Sequence, residues 1–330
     1  MNPQFNRDTL AQRGFTVARS LIEPAACRKL AALWPRQDLF RKHIVMQRHG
    51  YGQGEYQYFT YPLPEPVERL REAAVQYQRL AAVDHMLCLF PFEPELYAHT
   101  RVQARYVGHP LASTIPMEGN KELARIRLGL KRDVTTIAIW PGSRDSEIKH
   151  IAPTFFKSAT LMHAYLKGAV QFVVPIATNA LCVPLNQLKT EILQQCPEID
   201  LHLINGQASS CLEASDSVLI ASGTATLEAA LWKKPMVISY KVPAITAWIM
   251  KRQGYLPYIG LPHILSKKFV VPEILQNDAT PQNLAKATLN WLDNPQAVAN
   301  LESQFIELHH RLRLPTGDLV AQTIQEVIRV

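Results

Sequence analysis

The sequence predicts an α/β fold: a doubly wound, Rossmann-like parallel sheet with a helical tail, preceded by a small segment of α+β character. Three observations predict it. From Val134 onward, short β-branched runs alternate with helix-length amphipathic stretches, the pattern of βαβ units around a parallel sheet. Beyond Pro281 the apolar residues keep helical spacing only. Ahead of residue 81 neither pattern holds.

Residues 1–80 offer a helix over Pro24–Leu33 and then a Gly- and Tyr-rich stretch, HGYGQGEYQYFTYPLP, that suits strand and turn. A second helix follows over Pro66–Leu80. The change of period and composition between Tyr77 and Ala82 places a boundary there. In the repeating part, strands are predicted at Thr135–Trp140, Val170–Ile176, Leu201–Ile204, Ser217–Ala221, Pro235–Tyr240 and Phe269–Val271. Between them fall helices at Ile148–Leu166, Leu185–Gln195, Ala208–Ala214, Thr224–Lys233 and Pro243–Arg252. Right-handed crossovers make these one doubly wound domain. The tail, Pro281–Val330, reads as helix throughout, with Thr280 and Asp318 as N-caps and Pro315–Thr316–Gly317 as the break.

A chain of 330 residues with 47% apolar content has room for two domains with real cores. No run approaches the roughly 18 to 20 apolar residues a spanning helix needs, and MNPQFNRDTL lacks the apolar stretch of a secretory signal, so the cytoplasm is the expected compartment. Five cysteines, odd in number and without a CxxC pair, suggest buried free thiols and neither a disulfide framework nor zinc. The net charge of +7 is uneven: residues 1–80 hold 12 basic and 7 acidic side chains, the other 250 hold 23 and 21. Nothing in that basic quarter resembles a nucleic-acid motif, so a solvated surface is expected and no nucleic-acid partner.

Two turns carry chemistry. The strand Thr135–Trp140 runs into Pro141–Gly142–Ser143–Arg144 and a helix opening near Ser146–Glu147. A glycine turn at a helix start offers free N–H groups and a positive dipole end to a diphosphate, and Arg144 adds a charge-assisted contact. Alone, such a turn is ordinary structure. A second one, Ser222–Gly223–Thr224–Ala225–Thr226–Leu227–Glu228, follows the strand Ser217–Ala221, and Gly223 permits close backbone approach. Both fall at the C-terminal ends of strands, where open α/β sheets bind ligands. Glu228, one turn into its helix, is placed either to meet a ribose or simply to face solvent.

At these residues a resemblance becomes specific. WPGSRDSEI, SGTATLEAAL, PMVISYK, YIGLP and VPEILQ resemble, in order and spacing, motifs of the lipid-A-disaccharide synthase family, and VDHMLCLFPFEPELY and YVGHPLAS resemble the end of its first domain and the interdomain linker. The resemblance covers about 250 residues. It implies a GT-B glycosyltransferase whose second, donor-binding half is residues 112–330, with 81–111 as a remnant of the first half. It implies inverting transfer of diacylglucosamine from UDP-diacylglucosamine to diacylglucosamine 1-phosphate, with no cofactor or metal. It also implies a homodimer with exchanged C-terminal parts and peripheral contact with the cytoplasmic face of the inner membrane. Gly142, Ser143 and Arg144 would hold the diphosphate, supported by Ser222, Gly223 and Thr224. Glu228 would meet the ribose, and Glu273 and Gln276 would line the donor pocket. His263 stands where the family carries asparagine after Leu-Pro, which makes it a candidate near the active centre, although a lone histidine there otherwise reads as a surface loop residue.

The family's GExSGD string, which belongs to the acceptor half, does not occur in the chain. Residues 13–77, with RGFTVARSLIEPAACRKLAALW and VMQRHGYGQGEYQYFTYPLPEPVERLR, resemble the start of an iron- and 2-oxoglutarate-dependent oxygenase of the prolyl-hydroxylase-like type. No His-x-Asp of a facial triad follows, so His43 and His49 are expected to be structural or exposed. The segment Ala244–Tyr258, with Trp248, Ile249, Met250, Lys251 and Arg252, is expected either to touch a lipid surface or to pack on the core. No GxGxxG follows the first strand, which argues against a nicotinamide-dependent dehydrogenase.

Overall fold

A computed structural model describes residues 24–45, 55–59, 67–68, 85–100, 102–241 and 258–328. The chain divides into two compact units, Met1–Asp84 and His85–Val330. In the first, helix α1 (Pro24–Ala31) precedes β1 (Phe40–Val45), which pairs antiparallel with β2 (Glu55–Phe59). The Gly- and Tyr-rich stretch thus supplies a strand, as its composition predicts. Of the helix expected over Pro66–Leu80, Val67 and Glu68 are helical and the remainder lies outside the described residues. His49 lies outside them too, and His43 falls in β1.

The second unit opens with a parallel pair, β3 (His85–Cys88) and β4 (Gln103–Tyr106), separated by the short helix α2 (Glu93–Leu96). Helices α3 (Pro110–Thr114) and α4 (Lys121–Arg127) lead from it to a six-stranded sheet. Its strands are β5 (Thr135–Trp140), β6 (Val170–Ile176), β7 (Asp200–Asn205), β8 (Ser217–Ala221), β9 (Met236–Tyr240) and β10 (Glu273–Leu275). They lie parallel in the order β10-β9-β8-β5-β6-β7. The chain winds from β5 outward to β7, crosses back to β8 on the other side of β5, and winds outward again. That reversal between β5 and β8 is a topological switch point.

The strands form where the β-branched runs predict because helices cover both faces of the sheet. All of β6 and β8 is buried, so these strands read as near-continuous apolar runs, interrupted by Gln171 and opened by Ser217, and do not alternate. Ile137, Ile139, Phe172, Leu219 and Ile220 have no exposed surface. On the faces lie α5 (Asp145–Tyr165), α6 (Cys182–Gln195), α7 (Ala208–Ala214) and α8 (Ala225–Leu231). The short α9 (Leu261–Ser266) follows.

Three expectations are corrected. The last strand is Glu273–Leu275 and not Phe269–Val271. Pairing with β9 begins only after Pro272, whose carbonyl accepts from the Ile238 amide. The preceding apolar run serves packing instead: the Phe269 ring lies 5.3 Å from those of both His263 and Tyr258. In the tail, Thr280 does cap α10 (Pro281–Leu292), and Asn294 caps α11 (Pro295–Leu312). Asp318, however, sits inside the first turn of α12 (Thr316–Ile328). The Pro315 carbonyl accepts from Leu319 N–H at 3.0 Å, so Pro315 occupies the cap position and the helix takes in Thr316 and Gly317. An acidic residue one turn in still suits the positive end of the dipole. Finally, Cys88 and Cys211 are buried free thiols, with burial pushing Cys211 up to about 12, but Cys27 is exposed and Cys182 and Cys196 are half-buried. The helix expected over Pro243–Arg252 lies outside the described residues.

The tail is tied back to the start of the unit. His309 Nε2 lies 2.8 Å from the Ala112 carbonyl, the His109 amide donates to the Leu312 carbonyl at 2.9 Å, and the Tyr106 hydroxyl donates to the Arg311 carbonyl at 2.8 Å. Gly108, at φ +82°, passes so close that an added Cβ would meet the Leu314 Cβ at 2.7 Å.

Candidate functional site

β5 and β8 are direct neighbours, with Trp140 level with Ile220. The two glycine turns therefore leave the sheet side by side, separated at their roots by one strand spacing of roughly 5 Å. The sheet brings together the two segments that sequence spacing keeps about 80 residues apart.

The first turn is closed by its own helix. Glu147, in the first turn of α5, reaches back so that Oε2 accepts from the Ser143 amide at 2.8 Å and the Arg144 amide at 3.2 Å. Its other oxygen, Oε1, lies 3.2 Å from Arg144 Nη1. The carboxylate is the acidic half of a capping box; the guanidinium, a pure donor, cannot supply the other half. Gly142 makes this possible. It has φ +117°, and an added Cβ would lie 2.7 Å from the Glu147 Cβ. The amides of Ser143 and Arg144, expected to face a diphosphate, are thus already engaged. Arg144 itself is 77% exposed and tethered at one end only.

The second turn is open. Gly223 has φ +156° with no heavy atom near the position of an added Cβ, and both Gly223 and Thr224 are exposed. Among the described residues no hydrogen bond from the amide of either is found. The Thr224 side chain makes no cap bond, while the Gly223 carbonyl accepts from the Thr226 hydroxyl at 2.7 Å. Ser222 is anchored, its amide donating to the Ser239 carbonyl at 2.9 Å. This turn carries the free N–H groups, and α8 sets their direction.

Glu228 lies half-buried in α8, not on a solvated face. Burial pushes its carboxyl above the ordinary range, and a hydrogen bond with Ser209 draws it partly back. Ser209 is held in turn by Trp232, whose Nε1 donates to its hydroxyl at 2.8 Å.

Glu273 and Gln276 stand two strands away from β8, on β10 and just beyond its end, which is roughly 10 Å across the sheet. Gln276 is half-buried with φ +53°. The Glu273 carboxylate is 2% exposed and accepts from the amides of Ile259 at 3.1 Å and Gly260 at 2.9 Å, so it braces the turn entering α9. His263 is a buried residue of α9 and not a surface loop residue. It has no exposed surface, and its Nδ1 accepts from the Val270 amide at 3.1 Å.

A groove of about 990 Å³ lined by Leu161, Tyr165, Asp278 and Lys286 shares only Glu273 with these residues. Leu161 lies 16 residues along α5 from Asp145, a rise of roughly 24 Å, so the groove runs away from the two turns. Among the described residues no group of three or more metal-ligating side chains gathers, and no helix is long and apolar enough to cross a membrane. Trp248, Ile249, Met250, Lys251 and Arg252 lie outside the described residues.

Sequence reading did not assign a role to Glu147, Ser209 or Trp232. For Glu147 a signal was present, since a glutamate three residues past the last extended residue is the acidic partner of a capping box. Ser209 meets Glu228 only through the crossover between α7 and α8, which spacing alone does not reveal.

Comparison with known proteins bears on the same residues. A family described as lipid-A-disaccharide synthetase matches residues 71–324. The lipid-A-disaccharide synthase of Cupriavidus pinatubonensis is 50% identical over 248 residues, 75% of this chain and 60% of that protein. That of Burkholderia thailandensis is 51% identical over 247 residues, covering 75% and 62%. Anabaena HepE, solved in complex with UDP and glucose, aligns with a TM-score of 0.48 at 15% identity over 78% of this chain and 67% of its own. The chain thus spans less than two thirds of the length of those two synthases. The family match begins inside the segment expected to be oxygenase-like, and the oxygenase resemblance gains no support from these matches. The motifs at both glycine turns, at Glu228, at His263 and at Glu273 all fall within the matched span, and the chain belongs to the lipid-A-disaccharide synthetase family.

Proposed function

We propose that residues 112–330 bind a UDP-sugar at the paired turns and serve the transfer of diacylglucosamine from UDP-diacylglucosamine to diacylglucosamine 1-phosphate in lipid A biosynthesis. The observation that carries this reading is the exit of both turns from adjacent strands at the switch point, with an exposed guanidinium on one and free amides on the other. Arg144 meets the diphosphate and stabilises the charge that grows on UDP as it leaves. Gly223 and Thr224 donate backbone N–H groups to the same phosphates, with Ser222 holding the turn to β9. Gly142 and Ser143 shape the first turn. Glu228 receives the ribose hydroxyls, and Gln276 and Glu273 close the donor side, Glu273 through the turn it braces. His263 acts on that same brace. No catalytic base is assigned within these residues, because in a GT-B enzyme it comes from the opposing half. The lipid acceptor implies peripheral encounter with the cytoplasmic face of the inner membrane, and the family resemblance implies a homodimer.

A second reading is donor binding without turnover. It is favoured by one observation: the glycine-rich GExSGD string of the acceptor half does not occur among these 330 residues. Titration with UDP beside an assay for disaccharide product separates the two. Binding with product supports the transferase, binding without product supports the second reading, and no binding overturns both.

A further inference from the structure

The carboxylate of Glu147 has two oxygens with two different tasks. Oε2 takes both amides of the Gly142–Arg144 turn, at 2.8 and 3.2 Å, while Oε1 faces the Arg144 guanidinium at 3.2 Å. The two ends of this contact differ in exposure. The Glu147 side chain is 12% exposed and Arg144 is 77% exposed, so a fixed, nearly buried anion holds one guanidinium nitrogen, Nη1, of a long and mostly exposed side chain. An arginine standing free at that place would lose its rotamer freedom on meeting a ligand; one already tethered loses less. The amide bonds alone account for a helix start. They do not account for the second oxygen, which is spent on a side chain that makes no cap bond to the helix.

We infer that Glu147 is a positioning residue for phosphate recognition, holding the first turn shut against anions with one oxygen and aiming the Arg144 guanidinium with the other. This rests on the reading of the paired turns as a UDP site. It adds a division of labour: at the first turn the diphosphate is met by a side chain, and at the second by backbone amides. It also gives Gly142 a purpose, since only a residue without a Cβ leaves room for the Glu147 carboxylate in the turn.

The test is a double-mutant cycle read by calorimetric titration of UDP into the full chain. Glu147→Gln keeps an acceptor for the two amides and replaces the oxygen facing Arg144 with a donor, which breaks the tether and spares the turn. E147Q is expected to bind UDP about threefold to tenfold more weakly, the equivalent of immobilising one rotamer-rich side chain anew. In an Arg144→Gln background the same change is expected to alter affinity by less than about twofold, because the partner through which Glu147 acts is gone. A role confined to the helix start would give equal losses in both backgrounds, and that result overturns the inference. So does tighter binding by E147Q, which would make Glu147 a competitor of the phosphate. If E147Q does not fold, Glu147→Asp, which keeps the charge but shortens the reach, decides by the same comparison. Failure of the unsubstituted chain to bind UDP overturns the site itself, and the inference with it.

Discussion

Glu273 Oε2 lies 3.5 Å from His263 Nε2, and both side chains are sealed from solvent, at 2% and 0% exposure. Burial pushes the two groups toward their neutral forms: it lowers His263 and raises Glu273 from their ordinary ranges. The pair is therefore a packed contact between two groups pushed toward neutrality, with no hydrogen bond formed at His263 Nε2 among the described residues, set against the Tyr258 and Phe269 rings.

His263→Ala removes the acceptor of the Val270 amide and opens a cavity, with an expected cost of about 2–5 kcal/mol in denaturant unfolding near pH 7. The pH dependence has a definite sign. A histidine whose folded pKa is depressed contributes stability that is present above its unfolded value, near 6.5, and is lost as pH falls toward the folded value. The gap between wild type and His263→Ala therefore narrows below about pH 6.5. Glu273, with a raised pKa, acts in the opposite direction in both proteins, so only the difference between them isolates the histidine. A gap that widens in acid contradicts the assignment.

Gly142→Ala and Gly223→Ala separate the two turns. Both glycines have positive φ, but only at Gly142 does an added Cβ collide, meeting the Glu147 Cβ at 2.7 Å. Gly142→Ala is expected to expel Glu147 from the turn and to cost about 1–3 kcal/mol of stability, together with UDP affinity. Gly223→Ala bears the backbone strain alone and keeps the first turn intact. Thermal unfolding of both variants, paired with UDP titration, checks the order.

Asp216 supports the sheet beneath the site. Its carboxylate is 2.6 Å from both Lys121 Nζ and Arg125 Nη2 and accepts from the Thr136 amide at 2.8 Å. Burial pushes its pKa up, but the hydrogen bonds and charges of Lys121, Thr136 and Arg125 outweigh that and hold it below the ordinary range. Its contribution is thus present above the unfolded value and lost as pH falls through the folded one, so acid below about pH 4 weakens the fold. Asp216→Asn leaves Arg125, 6% exposed, without its charge partner and is expected to cost about 3–5 kcal/mol at pH 7. The same variant should show a flatter loss of stability between about pH 4 and pH 2.

The parallel sheet was legible in the sequence because both its faces are covered. Thr135–Trp140, Val170–Ile176 and Ser217–Ala221 appear in the structure with those same bounds. Phe269–Val271 misled because an apolar run next to a proline packs as readily as it pairs: the Phe269 ring, itself largely exposed, lies against those of His263 and Tyr258, and Val271 is buried. The pairing of the two turns was legible only through topology: spacing located each, and the reversal of strand order brought them together. Glu147 at the Ser143 and Arg144 amides was harder to read, because a capping glutamate and a phosphate claim the same N–H groups. The burial of His263 depends on Glu273 and Phe269 folding over it from farther along the chain.

Glu228→Gln tests the ribose contact. A half-buried carboxylate accepting from ribose hydroxyls should discriminate UDP from 2′-deoxy-UDP by about 1.5–3 kcal/mol, the range for hydrogen bonds to a charged group. The substituted chain should lose most of that preference. Competition titration with the two nucleotides measures it, and equal discrimination by both proteins places the ribose elsewhere.

Where the diphosphate sits is measured most directly by a crystal structure of the chain with UDP. The diphosphate is expected between the two turns, with oxygens within about 3 Å of the Arg144 guanidinium and of the Gly223 or Thr224 amide. The Glu147 carboxylate should remain in the first turn. Density for UDP in the groove beside Tyr165 and Lys286, or phosphates touching neither Arg144 nor Gly223, would contradict the account.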